Sequence, residues 1–263
     1  MAVKYTPQGL LIYATMLLYV AAFVVCICRC RKPAMWVYGA GFAAAVASVI
    51  YRWLDAGHAP LGNLFEVMLF LGMLMFPLSI FSRQLLRIGD EAADMLIGAA
   101  LLFPAGFVFN AEPQQLPPAL QTPLFVPHVA AYVIGYAIMA KAALVAAAQL
   151  IRGDDTPRPG LIAREQATYR LVCLGFPLLT AGLVLGAFWG KLAWGNWWNW
   201  DPKELWSLAS WLVYLGYFHF RHVSQRRCPA AGAAIAMLGF VVIVITLLWV
   251  NLSVLFAGLH SYA

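Results

Sequence analysis

Apolar residues run along this chain in eight long blocks, at roughly 8–28, 35–53, 62–82, 92–110, 128–151, 169–189, 203–222 and 231–257. Each block is close to the ~20 residues that a helix needs to cross the ~30 Å hydrocarbon layer of a bilayer. Only short turns lie between them, so no independent soluble domain fits. None shows the ten-residue alternation of a barrel strand, and no internal repeat stands out. The first block lacks a basic flank before it and a small-residue cleavage site after it, which predicts a retained span. The pattern therefore predicts an all-α polytopic membrane protein, one transmembrane domain over 1–263.

Composition strengthens that reading. Of 263 residues 63% are hydrophobic and 11% charged, against about half and a quarter in a soluble domain. Too few polar side chains remain to cover a water-facing surface, which excludes a soluble enzyme. The net charge of +6 sits in short clusters between apolar runs and not on one face, which excludes nucleic-acid binding.

The same clusters predict orientation, because the cytoplasmic side of a membrane protein collects Lys and Arg. Twelve of the seventeen basic residues fall on one side: Arg29, Arg31, Lys32, Arg83, Arg87, Arg152, Arg158, Arg164, Arg170, Arg221, Arg226 and Arg227. Lys4, Arg52, Lys191 and Lys203 fall on the other, and Lys141 lies inside a span. Both termini are thus expected outside the cytoplasm. With them go the turn after Arg52, the Pro-rich segment Glu112 to Pro127, and the aromatic loop Trp189 to Trp200. A composition rich in Ala and Gly, with few Asn and Lys, suggests a bacterial inner membrane and not a plastid. The five cysteines, Cys26, Cys28, Cys30, Cys173 and Cys228, all fall outside the outer loops. That excludes a membrane disulfide carrier, and the reducing side argues against disulfides.

The densest chemistry is the stretch Trp194-Gly195-Asn196-Trp197-Trp198-Asn199-Trp200-Asp201-Pro202-Lys203-Glu204. Asp201 reads as a helix cap, Pro202 as the first helical residue and Glu204 as the partner in a capping box. The seventh span would start there, with the tryptophans on its outer mouth. Interfacial aromatic belts account for one or two Trp per helix end. Six of the chain's ten tryptophans fall between Trp194 and Trp211, which points instead to a platform for a large flat apolar ligand. Asn196 and Asn199 would supply its polar edge.

Histidine inside a membrane is a functional suspect. His128 opens the fifth span on the outer face, and His260 follows the eighth on that face. Two imidazoles flanking an indole platform suit a six-coordinate haem. His219 lies 16 residues beyond Lys203, about 24 Å along a helix at ~1.5 Å per residue. Axial ligands of one iron stand only ~4 Å apart, given metal–nitrogen bonds of ~2 Å. His219 therefore marks a second, inner position, and a second ligand there must come from elsewhere, with another subunit as the candidate. His222, one turn on, reads as part of the basic edge. His58 occurs in Gly57-His58-Ala59-Pro60-Leu61-Gly62-Asn63-Leu64-Phe65-Glu66. Asn63 and Glu66 share a helix face, and Glu66 needs Arg52 or His58 as a partner; a structural turn lock and a functional role both stay open. Lys141 either snorkels or pairs with an acidic ligand group.

With these residues in view the chain resembles the CcsA/ResC-type cytochrome c biogenesis proteins, the WWD-domain subunit of the two-component haem attachment system (system II). The resemblance rests on Gly57 to Glu66, on His128 at a span start, and on the WWD segment Trp194 to Glu204. It also includes Tyr217-Phe218-His219-Phe220-Arg221 and the Gly258-Leu259-His260-Ser261-Tyr262 ending, so it covers nearly the whole chain. It implies a cytochrome c synthetase component of the haem lyase type, which receives haem b as a substrate in transit and passes it outward. Ferrous haem is then presented for thioether bonding to apocytochrome c carrying Cys-x-x-Cys-His. By motif position, His128 and His260 would be the outer axial ligands and catalytic residues. Trp194, Trp197, Trp198, Trp200, Asp201 and Asn196 would form the platform, with His58 and Glu66 further haem-site residues, and His219 would ligate the inner iron. The implied partners are a CcsB/ResB-type membrane subunit, the apocytochrome and a thiol-reducing protein.

Two rival classes set the comparison. A membrane cytochrome that keeps its haems for electron transfer also uses histidine pairs, although only the outer pair here sits at matched depth. A secondary transporter using Glu66 and Lys141 predicts inverted repeats and broken helices, and it leaves the indole platform unexplained.

Overall fold

The computed structural model describes residues 4–153, 159–224 and 227–252. Among them the regular structure is helical: α1 (Pro7–Ile27), α2 (Arg31–Ala56), α3 (Leu64–Gln84), α4 (Glu91–Phe107), α5 (Phe125–Arg152), α6 (Arg164–Trp194), α7 (Pro202–Val223), α8 (Pro229–Val244) and the short α9 (Val250–Leu252). A π-helical turn, Ile245–Trp249, joins the last two. Six helices are long and apolar enough to cross a membrane, α8 to α9 counting as one. The other two long elements are α4, at 17 residues, and α7, whose ends carry Lys203, Glu204, Arg221 and His222.

The chain divides into two compact units, one built from residues 1–85 and 89–118 and the other from 86–88 and 119–263. The first is a ring of four helices in which α1 packs on α2, α2 on α3, α3 on α4, and α4 on α1. Its core is aromatic. Tyr19 and Tyr38 are fully buried, their rings 4.6 Å apart and edge-on, and Phe76 packs edge-on against Tyr38 at 5.0 Å. Tyr19 fits because Gly41 and Gly98 face it; a Cβ at either would come within 3 Å of its ring.

In the second unit α5 lies against α6 and α8, and α7 against α8 and α6. The innermost helix is α5, with 72% of its membrane-length window buried. Its small residues Ala137, Ala140, Ala142, Ala143 and Ala146 permit close approach by neighbours, a device used where lipid supplies no hydrophobic drive between helices. Lys141 is packed within this helix at 1% exposure. Helix α7 buries Ser207, Ser210, Tyr214 and Tyr217, a single stripe at helical spacing. The opposite stripe, Leu205, Leu212, Gly216, His219 and Val223, is exposed.

Candidate functional site

The aromatic loop sits between α6 and α7, and both of its ends are fixed by local chemistry. Helix α6 stops at Gly195, which takes a left-handed φ of 83°, as is usual just past a helix end. Lys191 then donates to the Gly195 carbonyl at 2.6 Å. At the other end the expected capping box is present: the Asp201 side chain accepts from the Lys203 N–H, and the Glu204 carboxylate reaches back to the Asp201 N–H. The same Glu204 oxygen also accepts from the Asn199 N–H, at 2.8 Å.

One carboxylate oxygen thus pins the backbone on both sides of Trp200, which takes a φ of 58°. For a bulky residue that conformation costs about 1–3 kcal/mol and needs outside support. The pinched turn pushes the Trp200 indole outward to 67% exposure, and Trp197 stands 51% exposed beside it. Trp198 packs edge-on to Trp200 at 6.0 Å, and Trp197 edge-on to Phe188 at 4.9 Å. Asn196 donates to the Asn199 side-chain oxygen at 3.0 Å. Two donors in this loop are orphaned: among the described residues the Trp198 indole N–H and the Asn199 side-chain nitrogen are buried without a hydrogen-bond partner.

His128 belongs to the same end of this unit. It lies in the first turn of α5, and its ring lies on α6. Nδ1 donates to the Gly182 carbonyl at 2.9 Å. Since the acceptor is a carbonyl, Nδ1 carries the proton, and the lone pair of the neutral ring lies on Nε2. The ring stacks on Trp189 (5.6 Å, 23°) and meets Tyr132 edge-on at 5.3 Å. Trp189 in turn packs on Trp194 at 4.8 Å and donates its indole N–H to the Ala119 carbonyl at 2.9 Å. An unbroken run of aromatic contacts therefore joins His128 to the start of the loop. Space for the imidazole exists because residue 186 is glycine: a Cβ there would lie 2.7 Å from Cε1 of His128.

His219 lies on the continuous helix α7, well away from this end, and it is exposed on the apolar stripe described above. Its neighbours Phe218 and Arg221 face α6. Phe218 packs edge-on to Phe176 at 5.2 Å, while Arg221 pairs with Glu165 at 2.8 Å and covers the Tyr169 ring at 3.6 Å. These contacts fix the rotation of α7 that leaves His219 outward. His260 lies outside the described residues.

His58 and Glu66 belong to the first unit. Glu66 is fully buried and pairs with Arg52, itself 1% exposed, at 2.8 Å. Its second oxygen accepts from the Gly62 N–H at 2.7 Å, and Asn63 caps α3 by accepting from the Glu66 N–H at 3.0 Å. Arg52 donates onward to the carbonyls of Ala111 (2.5 Å) and Glu112 (3.3 Å). The His58 ring lies between the carbonyls of Ala59 and Gln114, 3.0 Å from each. These contacts hold the segment after α4 against the α2–α3 turn.

Several members of these sites carried little sequence signal. Tyr132 reads as an ordinary span residue, and Trp189 only as the start of the aromatic loop. Gly182, Gly186 and Gly190 form a small-residue ladder at four-residue spacing, the pattern by which membrane helices approach closely, and it was the available clue to where His128 packs. Lys4 counts in the sequence only toward the outer charge. In the structure its amine donates to the carbonyls of Ala105 and Phe109 at the end of α4, where a cation suits the helix dipole. Burial, and then the nearby Arg52 charge, push its pKa below the usual lysine value.

The fold and the pinned aromatic loop are those of a helical membrane protein. A family model described as "Cytochrome C assembly protein" matches residues 37–257, and the chain belongs to that family. Its type is CcsA. It is 34% identical over 230 residues to the "Cytochrome c biogenesis protein CcsA" of Chlamydomonas reinhardtii, covering 82% of this chain and 64% of that protein. It is 33% identical over 281 residues to the one from Synechococcus sp. strain JA-3-3Ab (80% and 79% covered). To that of Nicotiana tomentosiformis it is 31% identical over 266 residues (84% and 82% covered). The chain thus spans less than two thirds of the algal relative's length and about four fifths of the other two. Among solved structures its fold is similar to that of "Cytochrome c Heme Lyase CcmF", with a TM-score of 0.70 at 19% identity, covering 94% of this chain and 47% of that one.

Proposed function

We propose that this chain binds haem b as a substrate in transit and presents it, with a partner subunit, for thioether attachment to apocytochrome c. The observation that carries the reading is His128. Its Nδ1–H is committed to a backbone carbonyl, the arrangement that orients a metal-ligating imidazole and fixes Nε2 as the donor. Among the described residues no three His, Cys, Asp or Glu side chains gather as a bare metal site. One oriented imidazole, joined through Trp189 and Trp194 to the indole loop, suits an iron whose other ligands come from a porphyrin. The buried, unpartnered N–H groups of Trp198 and Asn199 are donors of the kind a haem carboxylate accepts.

In this reading eight helices span the membrane, α4 and α7 included. Both termini and the aromatic loop face outward from a bacterial inner membrane, following the basic side chains. His260 is the second outer ligand, and the WWD segment 189–204 is the haem platform. Outward-facing His219 serves the inner position by meeting a ligand from a CcsB/ResB-type subunit. His58 and Glu66 act on haem by holding the outer turn of the first unit in place.

The chemistry asked of the protein is positioning. Each of two vinyl groups of ferrous haem would add one S–H of the apocytochrome across its C=C bond, sulfur to one carbon and hydrogen to the other, so no strong nucleophile is required of the enzyme. Fixing the iron through histidine and the ring face through indoles is the kind of orientation that contributes several powers of ten in rate. A thiol-reducing protein keeps the substrate cysteines reactive.

The test is haem staining of all c-type cytochromes in cells whose only copy of the gene carries His128→Ala. Loss of every c-type cytochrome together supports attachment. Retention of full maturation, or loss of a single respiratory activity, overturns it, the latter in favour of a bis-histidine electron carrier.

A further inference from the structure

The opposite end of the first unit, remote along its helices from the His58–Glu66 lock, carries a cavity of about 370 Å³. It is formed by the start of α2, the end of α3 and the start of α4. Three cations line it, Arg31, Lys32 and Arg83, against a single carboxylate, Glu91. Ser79 and Trp36 complete the part that matters.

The side chains there are arranged around something more than the carboxylate. Glu91 binds Arg31 at 2.5 Å through one terminal nitrogen and Arg83 at 3.5 Å through its ε-nitrogen, and all three share one carboxylate oxygen. Each guanidinium carries five N–H donors in a fork suited to oxyanions, so Glu91 aligns the pair without exhausting it. The net charge of the lining is positive. Ser79 is fully buried, and its hydroxyl has no hydrogen-bond partner among the described residues. A buried hydroxyl left unpaired costs free energy, which a ligand oxygen in this cavity would relieve.

The surroundings say where the ligand comes from. Trp36 is 83% exposed at a helix end, the position at which tryptophan rests among lipid headgroups. Arg29 lies in the turn before α2, at this same end of the unit. Basic pockets between membrane helices bind anionic headgroups. A volume of 370 Å³ holds roughly a dozen water molecules at ~30 Å³ each, enough for a phosphate group and its attached polar head.

We propose that this cavity is a binding site for the phosphate headgroup of an anionic phospholipid. Arg31, Arg83 and Lys32 hold the phosphate oxygens, the Ser79 hydroxyl donates to one of them, and Trp36 lies along the lipid's glycerol region. The proposal is independent of the haem reading.

The experiment is native mass spectrometry of the full-length protein released from nanodiscs of dioleoylphosphatidylglycerol or dioleoylphosphatidylcholine. One retained phosphatidylglycerol per chain, with phosphatidylcholine retained far less, is expected. Lys32→Gln, which leaves the Arg31–Glu91–Arg83 cluster intact, should weaken retention about five-fold, the effect of one basic residue near a membrane surface. Ser79→Ala should weaken it further without lowering the protein's melting temperature. Equal retention of the two lipids, or no change in either variant, overturns the proposal. Displacement of phosphatidylglycerol by millimolar inorganic phosphate would overturn the lipid source and assign the site to a free phosphate.

Discussion

Replacing Gly186 by alanine puts the link between packing and ligand chemistry to a quantitative test. The added Cβ would lie 2.7 Å from Cε1 and 3.1 Å from Nδ1 of His128. Carbon atoms cease to repel at ~3.5 Å, so the ring must retreat by about 0.8 Å. The hydrogen bond from Nδ1 to Gly182, now 2.9 Å, then lengthens to as much as about 3.7 Å, beyond a useful hydrogen bond. Overpacking of this size costs about 1–3 kcal/mol, and loss of the orienting bond lowers metal affinity by roughly 10–100-fold. The assay is haem content of the purified protein by reduced visible spectrum, read beside its melting temperature in detergent. Gly216→Ala is the control, since its Cβ would meet nothing within 4 Å. Full haem content in Gly186→Ala, at unchanged stability, would refute the account of how His128 is held.

Other expectations follow from the same geometry. Glu66→Gln strips the buried Arg52 guanidinium of its counter-charge and should cost about 3–5 kcal/mol, whereas the apolar double replacement Arg52→Met/Glu66→Leu should cost much less; melting temperatures in detergent separate the two. Glu204→Ala removes the acceptor that pins Asn199 and Asp201, at about 1 kcal/mol for the lost cap. Faster amide exchange confined to 196–204, with cytochrome maturation impaired, is the expected readout. His219→Ala should leave the protein folded, because that side chain is exposed, while abolishing any haem bound jointly with the partner; unchanged haem content in the co-purified complex contradicts the inner-site assignment.

Much of this was written in one-dimensional patterns. The eight apolar blocks fall on the eight long helices among the described residues, and six of these are long and apolar enough to cross a membrane. Boundaries drifted where helices overrun the apolar stretch, as in α6, which extends from Arg164 to Trp194. The capping box at Asp201 and Glu204 was legible because caps are local chemistry. What Glu204 does for Asn199 was not, since that contact follows from the unusual backbone at Trp200. Non-local contacts were the hardest to read. Nothing in the linear order says that His128 lies against Gly182 and Gly186, some 54 residues on, or that Arg52 reaches Ala111 and Glu112. The division into two four-helix units was equally silent in a hydropathy profile of evenly spaced runs. The outward rotation of His219 is set by Phe218 and Arg221 binding α6, a tertiary fact that the spacing of α7 alone leaves open.

The central claim, that an oriented outer histidine and the indole loop hold haem, is tested most directly by the reduced visible spectrum of the detergent-purified protein co-expressed with its CcsB/ResB-type partner. Wild type is compared with the His128→Ala/His260→Ala variant. The account predicts a bis-imidazole haem signal in the wild type that weakens or shifts in the variant. An identical signal in both would remove haem from the outer pair, and a blank spectrum from the folded wild-type complex would contradict haem binding altogether.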